Sequence, residues 1–133
     1  MRFLSSMITN VDLIDEQHRT LFNHIDMVES IGTTPIPKDK AVETIQFLGD
    51  YIVKHFHDEE ELQKNSRYPR IKEHQKLHKW YIKEFQKLKN EYDKHGYSAH
   101  FAHILNESII DWYSNHVLVE DIALGKHIGA QII

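Results

Sequence analysis

The sequence predicts an all-α fold, an antiparallel up-down-up-down four-helix bundle with a short C-terminal helical tail. Three observations predict this fold. The 133 residues include only five glycines and three prolines, apolar residues recur at intervals of three and four, and alternating β-branched runs joined by hairpin turns are absent from the sequence. A chain of this length buries one continuous core, so we expect a single domain over residues 1–133.

The helix boundaries follow from the residues that begin and interrupt these apolar stripes. Asp12 is suited to the N-cap of the first helix, and the prolines of the segment 33–37 cannot propagate a helix because they lack amide donors. Ser98 is suited to the N-cap of the fourth helix, whose inward stripe includes Trp112 and His116. Short connections require each helix to run back along the previous one. The predicted helices are A at 12–31, B at 38–64, C at 69–94 and D at 98–119, with the tail reaching residue 128.

Composition excludes several classes of function. The net charge is −4, and the 16 basic and 20 acidic residues are mixed along the chain, so a nucleic-acid partner is not expected. The sequence has no apolar segment near the ~20 residues needed to cross a bilayer and no signal-peptide core in residues 1–10. We therefore expect a cytoplasmic protein without a membrane partner. Because the sequence has no cysteine, nitrogen and oxygen atoms would have to bind any metal.

Histidine is the unusual component, with eleven in the chain. Several of these histidines and one glutamate fall on the apolar stripes that face the bundle centre. Burying them without partners would cost several kcal/mol for each ionised group, and a metal would offset that cost. A buried hydrogen-bond network is the alternative. The inward residues are His18, His55, Glu59, His74, His78 and His116, whereas His24, His57, His95, His100, His103 and His127 are predicted to lie on the surface.

The spacing of the inward residues favours iron. His74 and His78 are four residues apart and project side by side, so they can bind the same ion, and His55 and Glu59 can do the same from the next helix. Six ligands are too many for tetrahedral zinc, whereas two irons that share bridging carboxylates would use them all. The Glu-x-x-His motif of ferritin-like sites and the HExxH motif are absent from the sequence. The nitrogen-rich ligand set favours carrying oxygen over activating it.

Four motifs of this chain resemble those of the bacterial hemerythrins, and together they span nearly its whole length. Residues 14–18, Ile-Asp-Glu-Gln-His, resemble the helix A motif of that family, and residues 55–60 resemble its HFxxEE motif. Residues 68–78 are similar to the motif YPxxxxHxxxH, and residues 112–121 are similar to WxxxHxxxxD. Every ligand position of the family pattern is filled.

The resemblance implies two non-haem iron ions joined by an oxo or hydroxo bridge, with dioxygen as the partner. Asp121 is implied by the resemblance alone, because a residue five positions after His116 does not share its face on a straight α-helix. The implied ligands are His74, His78 and His116 for one iron, His18 and His55 for the other, and Glu59 and Asp121 as bridges.

The resemblance also implies that dioxygen binds the iron with two histidines, in a dry pocket lined by Phe56, Trp112, Tyr113 and Val117. Four features depart from the family. Tyr113 stands where the family has a leucine, so its bulk and hydroxyl could narrow the pocket, hydrogen-bond to the bound oxygen or divert the chemistry. Val117 replaces an isoleucine, and Gln63 stands where a methionine is common. The N-terminal stretch is short and lacks the family's tryptophan.

Three functions are left open by the sequence. The first is reversible oxygen binding for storage, delivery or scavenging, without enzyme activity. The second is a sensor module that reports oxygen or redox state to a protein partner of unknown identity. The third is a di-iron peroxidase or a nitric-oxide-handling enzyme, a function that Tyr113 makes less remote.

Overall fold

The structure is a computed structural model that describes residues 3–130. Within this range it is all-helical, with four main helical regions and no strand. None of these helices is long and apolar enough to span a bilayer. The elements are a 3-10 turn at Ser5–Met7, α1 at Asp12–Ser30, α2 at Lys38–Asn65, α3 at Ile71–His95, and a C-terminal helical run made of α4 at Ala99–Ile104, a first π turn at Leu105–Asp111, α5 at Trp112–His116, a second π turn at Val117–Asp121, and α6 at Ile122–Ala130.

The predicted helices A, B and C correspond closely to α1, α2 and α3. The predicted C-terminal helical tail is confirmed, and it continues helix D to Ala130 without a break after residue 119. The N-cap predicted at Ser98 is confirmed, since its hydroxyl accepts the backbone N–H of Phe101 at 3.0 Å. The N-cap predicted at Asp12 is wrong, because Asp12 is the first residue of α1 and Val11 occupies the cap position.

The entry into α1 is held by Asp15 instead of Asp12. One carboxylate oxygen of Asp15 accepts the backbone N–H and the hydroxyl of Thr9, both at 2.8 Å, and the other accepts the backbone N–H of Asn10 at 3.1 Å. These bonds satisfy buried donors of the segment that precedes the helix. They fix the path of the chain into the helix that carries His18.

Consecutive helices pack against one another, α1 on α2, α2 on α3, and α3 on the first half of the C-terminal helical run. That run also meets α1, where the rings of Phe22 and Tyr113 lie 5.5 Å apart. The predicted apolar stripes supply the core, and Leu21, Ile45 and Leu88 are almost completely buried. All four helical regions therefore contribute to one core, and a polar cluster is set within it.

The two π turns change which residues of the C-terminal helical run face the core. A π turn bonds residue i to residue i+5 and so contains one more residue than an α turn, which shifts the inward face along the sequence. After the first π turn, Tyr113 takes the fully buried position and Trp112 is only half-buried. The straight-helix stripe placed Trp112 there, and the extra residue explains the correction.

Candidate metal centre

The seven predicted ligand side chains lie together in the core, and each is at most 4% exposed. Their ligand atoms form two groups, and within each group the atoms lie within 4.8 Å of one another. Glu59 and Asp121 belong to both groups. Every helical region supplies part of the cluster: α1 supplies His18, α2 supplies His55 and Glu59, α3 supplies His74 and His78, and the C-terminal helical run supplies His116 and Asp121.

Glu59 faces both groups of histidines, with one oxygen toward each. Its Oε1 lies 2.8 Å from Nε2 of His74 and 3.2 Å from Nε2 of His78. Its Oε2 lies 3.3 Å from Nε2 of His55. A carboxylate in this orientation can bind two cations at once, one through each oxygen.

Asp121 has the same arrangement from the C-terminal helical run. Its Oδ1 lies 3.0 Å from Nε2 of His74 and 3.2 Å from Nε2 of His116, whereas its Oδ2 lies 2.9 Å from Nε2 of His18. The second π turn brings it there, because residues five apart share a face in such a turn. On a straight α-helix Asp121 would not lie beside His116, and the π turn is the physical reason that it does.

One short distance in the cluster is a hydrogen bond, between Nε2 of His74 and Nε2 of His116 at 3.1 Å, but the others do not form a hydrogen-bond network. Both oxygens of Glu59 and Asp121, and Nε2 of His18, His55 and His78, are buried and have no hydrogen-bond partner among residues 3–130. Groups that approach within about 3 Å without donating to one another are directed at common points in space, as ligands around a cation are. So many orphaned buried polar atoms are rare in proteins. A bound metal accounts for them better than the hydrogen-bond network considered from the sequence.

Gln17 fixes the orientation of His55 from outside the cluster. The Gln17 amide nitrogen donates to the Asp58 carboxylate at 2.8 Å, so its amide oxygen faces Nδ1 of His55, also at 2.8 Å. A carbonyl oxygen can only accept, so Nδ1 of His55 carries the proton and Nε2 presents its lone pair to the cluster. Lys54 holds Asp58 in turn, at 3.0 Å.

Glu60 does the same for His78. The carboxylate of Glu60 lies 3.1 Å from Nδ1 of His78 and accepts a hydrogen bond from it, which leaves Nε2 free to bind a metal. The motifs contain Gln17 and Glu60, but the sequence did not identify their role. Their positions could have indicated this role, because each of the two residues is next to a candidate ligand in the sequence.

The charges of the cluster control its protonation when no metal is bound. Burial lowers the pKa of His74, but the carboxylates of Asp121 and Glu59 outweigh burial and raise it to about 10. Burial raises the pKa of both carboxyl groups, yet the surrounding histidines hold those pKa values well below the ordinary range. The carboxylates are therefore ionised and His74 carries an additional proton, which a metal ion must displace in order to bind.

Aromatic rings enclose the cluster at the predicted pocket residues. Phe56 stacks on His78 with ring centroids 3.8 Å apart, and Trp112 stacks on His116 at 4.9 Å. Val117 is fully buried in the adjoining core. These contacts shield two of the histidines with apolar surface, although Trp112 is itself partly open to solvent.

Tyr113, the fourth predicted pocket residue, is also buried. Its ring stands edge-on to the ring of His18, with centroids 6.1 Å apart. Burial, together with the negative charges of Asp121 and Glu59, raises the pKa of the Tyr113 phenol well above its ordinary value. The phenol therefore keeps its proton.

The histidines predicted to lie on the surface divide into two sets. His24 and His127 are partly buried, which corrects the prediction for them, because the His24 ring stacks on Phe47 at 4.7 Å and Nε2 of His127 lies 2.7 Å from the backbone oxygen of Ser66. The others are exposed as predicted, namely His57, His95, His100 and His103.

Comparisons with known proteins agree with this geometry. A family model described as the hemerythrin HHE cation binding domain matches residues 9–127. The bacteriohemerythrin of Stenotrophomonas maltophilia (strain R551-3) is 25% identical over 122 residues, which cover 92% of this chain and 77% of the relative. The bacteriohemerythrin of Methylococcus capsulatus (strain ATCC 33009 / NCIMB 11132 / Bath) is 25% identical over 122 residues, with 92% and 91% covered. No solved structure matches the chain. Because the family model covers most of the chain and its residues include the whole buried cluster, the chain belongs to the hemerythrin family.

Proposed function

We propose that this chain binds molecular oxygen reversibly at two non-haem iron ions held by the buried cluster. One observation carries the proposal: in both Glu59 and Asp121, one carboxylate oxygen faces the Nε2 atoms of the first group of histidines and the other oxygen faces those of the second group. Two carboxylates shared between two sets of imidazoles provide the ligands for a bridged pair of cations. The family membership and the names of the two bacteriohemerythrin relatives support iron and dioxygen as the metal and the ligand.

The donor set fits iron. Imidazole nitrogens and carboxylate oxygens suit octahedral iron, and the five donors of the larger group exceed the four ligands of a tetrahedral zinc ion. The two groups differ in histidine content, so an iron ion in the smaller group would keep one more coordination position open for an exogenous ligand. We assign His74, His78 and His116 to one iron, His18 and His55 to the other, and Glu59 and Asp121 to both.

The residues of this chain prepare the site, where a bound iron pair would supply the electrons for reversible binding of dioxygen. Gln17 and Glu60 hold the protons on Nδ1 of His55 and His78, so the Nε2 lone pairs are available for the metal. The aromatic ring of Phe56 covers His78 and keeps water from that side. A dry, preorganised site of this kind favours binding and release over turnover, and we propose no enzyme activity.

We further propose that the four main helical regions form one up-down-up-down domain around this site. The connection between α2 and α3, residues 66–70, spans roughly 20 Å at most when fully extended. The 25 residues of α3 make a helix about 37 Å long, so this connection cannot return to the far end for a parallel arrangement. The connection between α3 and α4, residues 96–98, is shorter still. Antiparallel neighbours satisfy both constraints.

Anaerobic reconstitution tests the proposed function. The protein is loaded with ferrous iron, its iron content is measured, and visible charge-transfer bands are followed as oxygen is admitted and then removed. We expect two irons per chain and bands that appear and disappear over repeated cycles. His18→Ala should abolish the bands, whereas His57→Ala, which changes an exposed histidine on α2, should leave them intact. Irreversible oxidation in the first cycle would reject oxygen carriage and favour sensing or turnover.

A further inference from the structure

Tyr113 has a buried hydroxyl group that the fold does not use. The residue is 1% exposed, and its hydroxyl has no hydrogen-bond partner in the described part of the chain. An unpaired hydroxyl in a protein core is unfavourable and uncommon, because water would otherwise bond to it. This exception therefore requires an explanation, and the position of the residue suggests one.

The ring of Tyr113 lies beside one histidine of each group of the cluster. Its ring meets the ring of His18 at an interplanar angle of 89°, and it packs on Phe22 with centroids 5.5 Å apart. The ring of His116 lies nearly parallel to it, with centroids 6.3 Å apart. His18 belongs to the two-histidine group, to which the proposed function assigns the exogenous ligand.

Tyr81 is an internal comparison for Tyr113. It is also completely buried, and the two rings lie 5.3 Å apart. The hydroxyl of Tyr81, however, donates to the backbone oxygen of Ile109 at 3.1 Å, within the first π turn. The fold therefore satisfies one of two neighbouring phenols and leaves the other without an acceptor.

We infer that the Tyr113 hydroxyl donates a hydrogen bond to the exogenous ligand of the site, either dioxygen or a small anion whose free end accepts a hydrogen bond. This inference rests on the proposed function. Tyr113 is thus a specificity-determining residue, which strengthens the binding of ligands with an acceptor atom beyond the one that binds the metal. A hydrogen bond to a charged acceptor in a dry site changes affinity by about tenfold or more.

Azide is the probe, because it is a small anion with a free terminal nitrogen and an infrared stretch that reports hydrogen bonding. The iron-loaded, oxidised protein is titrated with azide, and the visible charge-transfer band gives the Kd. We expect Tyr113→Phe to raise the Kd about tenfold and the matched variant Tyr81→Phe to leave it near the value of the unmodified protein. The azide stretch of the unmodified protein should shift between H2O and D2O, and that shift should vanish in Tyr113→Phe.

The metal-free variants supply a second readout, which separates a ligand donor from a structural residue. Tyr113→Phe removes an unpaired hydroxyl, so its denaturation midpoint should equal or exceed that of the unmodified protein. Tyr81→Phe removes a satisfied hydrogen bond, so its midpoint should fall. A lower midpoint in Tyr113→Phe would reject the view that its hydroxyl is unused by the fold.

The outcomes distinguish this inference from the proposed function. A protein that holds fewer than two irons overturns the proposed function and this inference with it. A protein that holds two irons and binds azide equally well with Tyr113 or Phe at this position overturns this inference alone. So does a phenolate-to-iron band in the ligand-free protein that disappears in Tyr113→Phe, because the phenol would then be a metal ligand. If the azide stretch of the unmodified protein does not shift between H2O and D2O, this inference is overturned even if the variant does not fold.

Discussion

Replacing Gln17 by leucine should weaken iron binding although Gln17 is not itself a ligand. The substitution removes the acceptor that lies 2.8 Å from Nδ1 of His55, a group that is completely buried. Without that acceptor His55 can rotate or change tautomer, and loss of such an outer partner lowers metal affinity by about 10–100-fold. The unpaired Nδ1–H also costs the metal-free protein about 1–3 kcal/mol of unfolding free energy.

The assay is competition for ferrous iron between the protein and a coloured chelator under anaerobic conditions, together with urea denaturation of the metal-free protein. Gln46→Leu is the matched control, because Gln46 is an exposed amide that donates to a carboxylate, Asp50, at 2.9 Å. We expect Gln46→Leu to retain the iron affinity of the unmodified protein. If Gln17→Leu retains it as well, within about twofold, the reasoning that an outer hydrogen bond holds His55 in place is refuted.

Three further predictions follow from the same contacts. The pKa of His74 is raised from 6.5 to about 10 in the metal-free protein, so the contribution of His74 to the free energy of unfolding should be greatest below pH 6.5 and should fall as the pH rises toward 10. Urea titrations across that range should detect the loss, and a flat profile would contradict it. Phe56→Leu removes the stack on His78 at 3.8 Å, so the free energy of unfolding in thermal denaturation should fall by about 1 kcal/mol and the oxygenated protein should oxidise irreversibly faster. An unchanged melting temperature and oxidation rate would contradict this. Ser98→Ala removes the cap of α4 and should cost about 1 kcal/mol in urea denaturation with unchanged iron content; a loss of iron would show that the cap also positions the site.

The sequence was informative where the chain forms straight helices. His55 and Glu59, and His74 and His78, are four residues apart on helices with the ordinary period, so their shared inward face could be predicted from spacing alone. Their burial with few partners among the described residues then made a metal the natural explanation. The all-helical class followed from the same periodicity.

The sequence was uninformative where the backbone departs from that period. Nothing in the residues Val117–Asp121 marks a π turn, because such turns are set by tertiary packing rather than by local propensity. The same limitation affected the prediction at Trp112, which is only partly buried, whereas Tyr113 after the first π turn is fully buried. Asp121 could therefore be found only through the family motif.

Contacts between helices far apart in sequence were also beyond prediction. Gln17 meets His55 across 38 residues and Asp58 across 41, and no local pattern encodes either pair. His24 was expected on the surface because it falls outside the apolar stripe, yet Phe47 of the next helix partly covers it. Such partners emerge only when helices are packed together.

Mössbauer spectroscopy of the oxidised, iron-loaded protein, with the iron content measured on the same sample, tests the central claim most directly. The two carboxylates shared between two groups of histidines predict two irons per chain that are magnetically coupled, with a diamagnetic ground state. A single uncoupled ferric ion per chain, or two ions without coupling, would contradict the account of Glu59 and Asp121 as bridges.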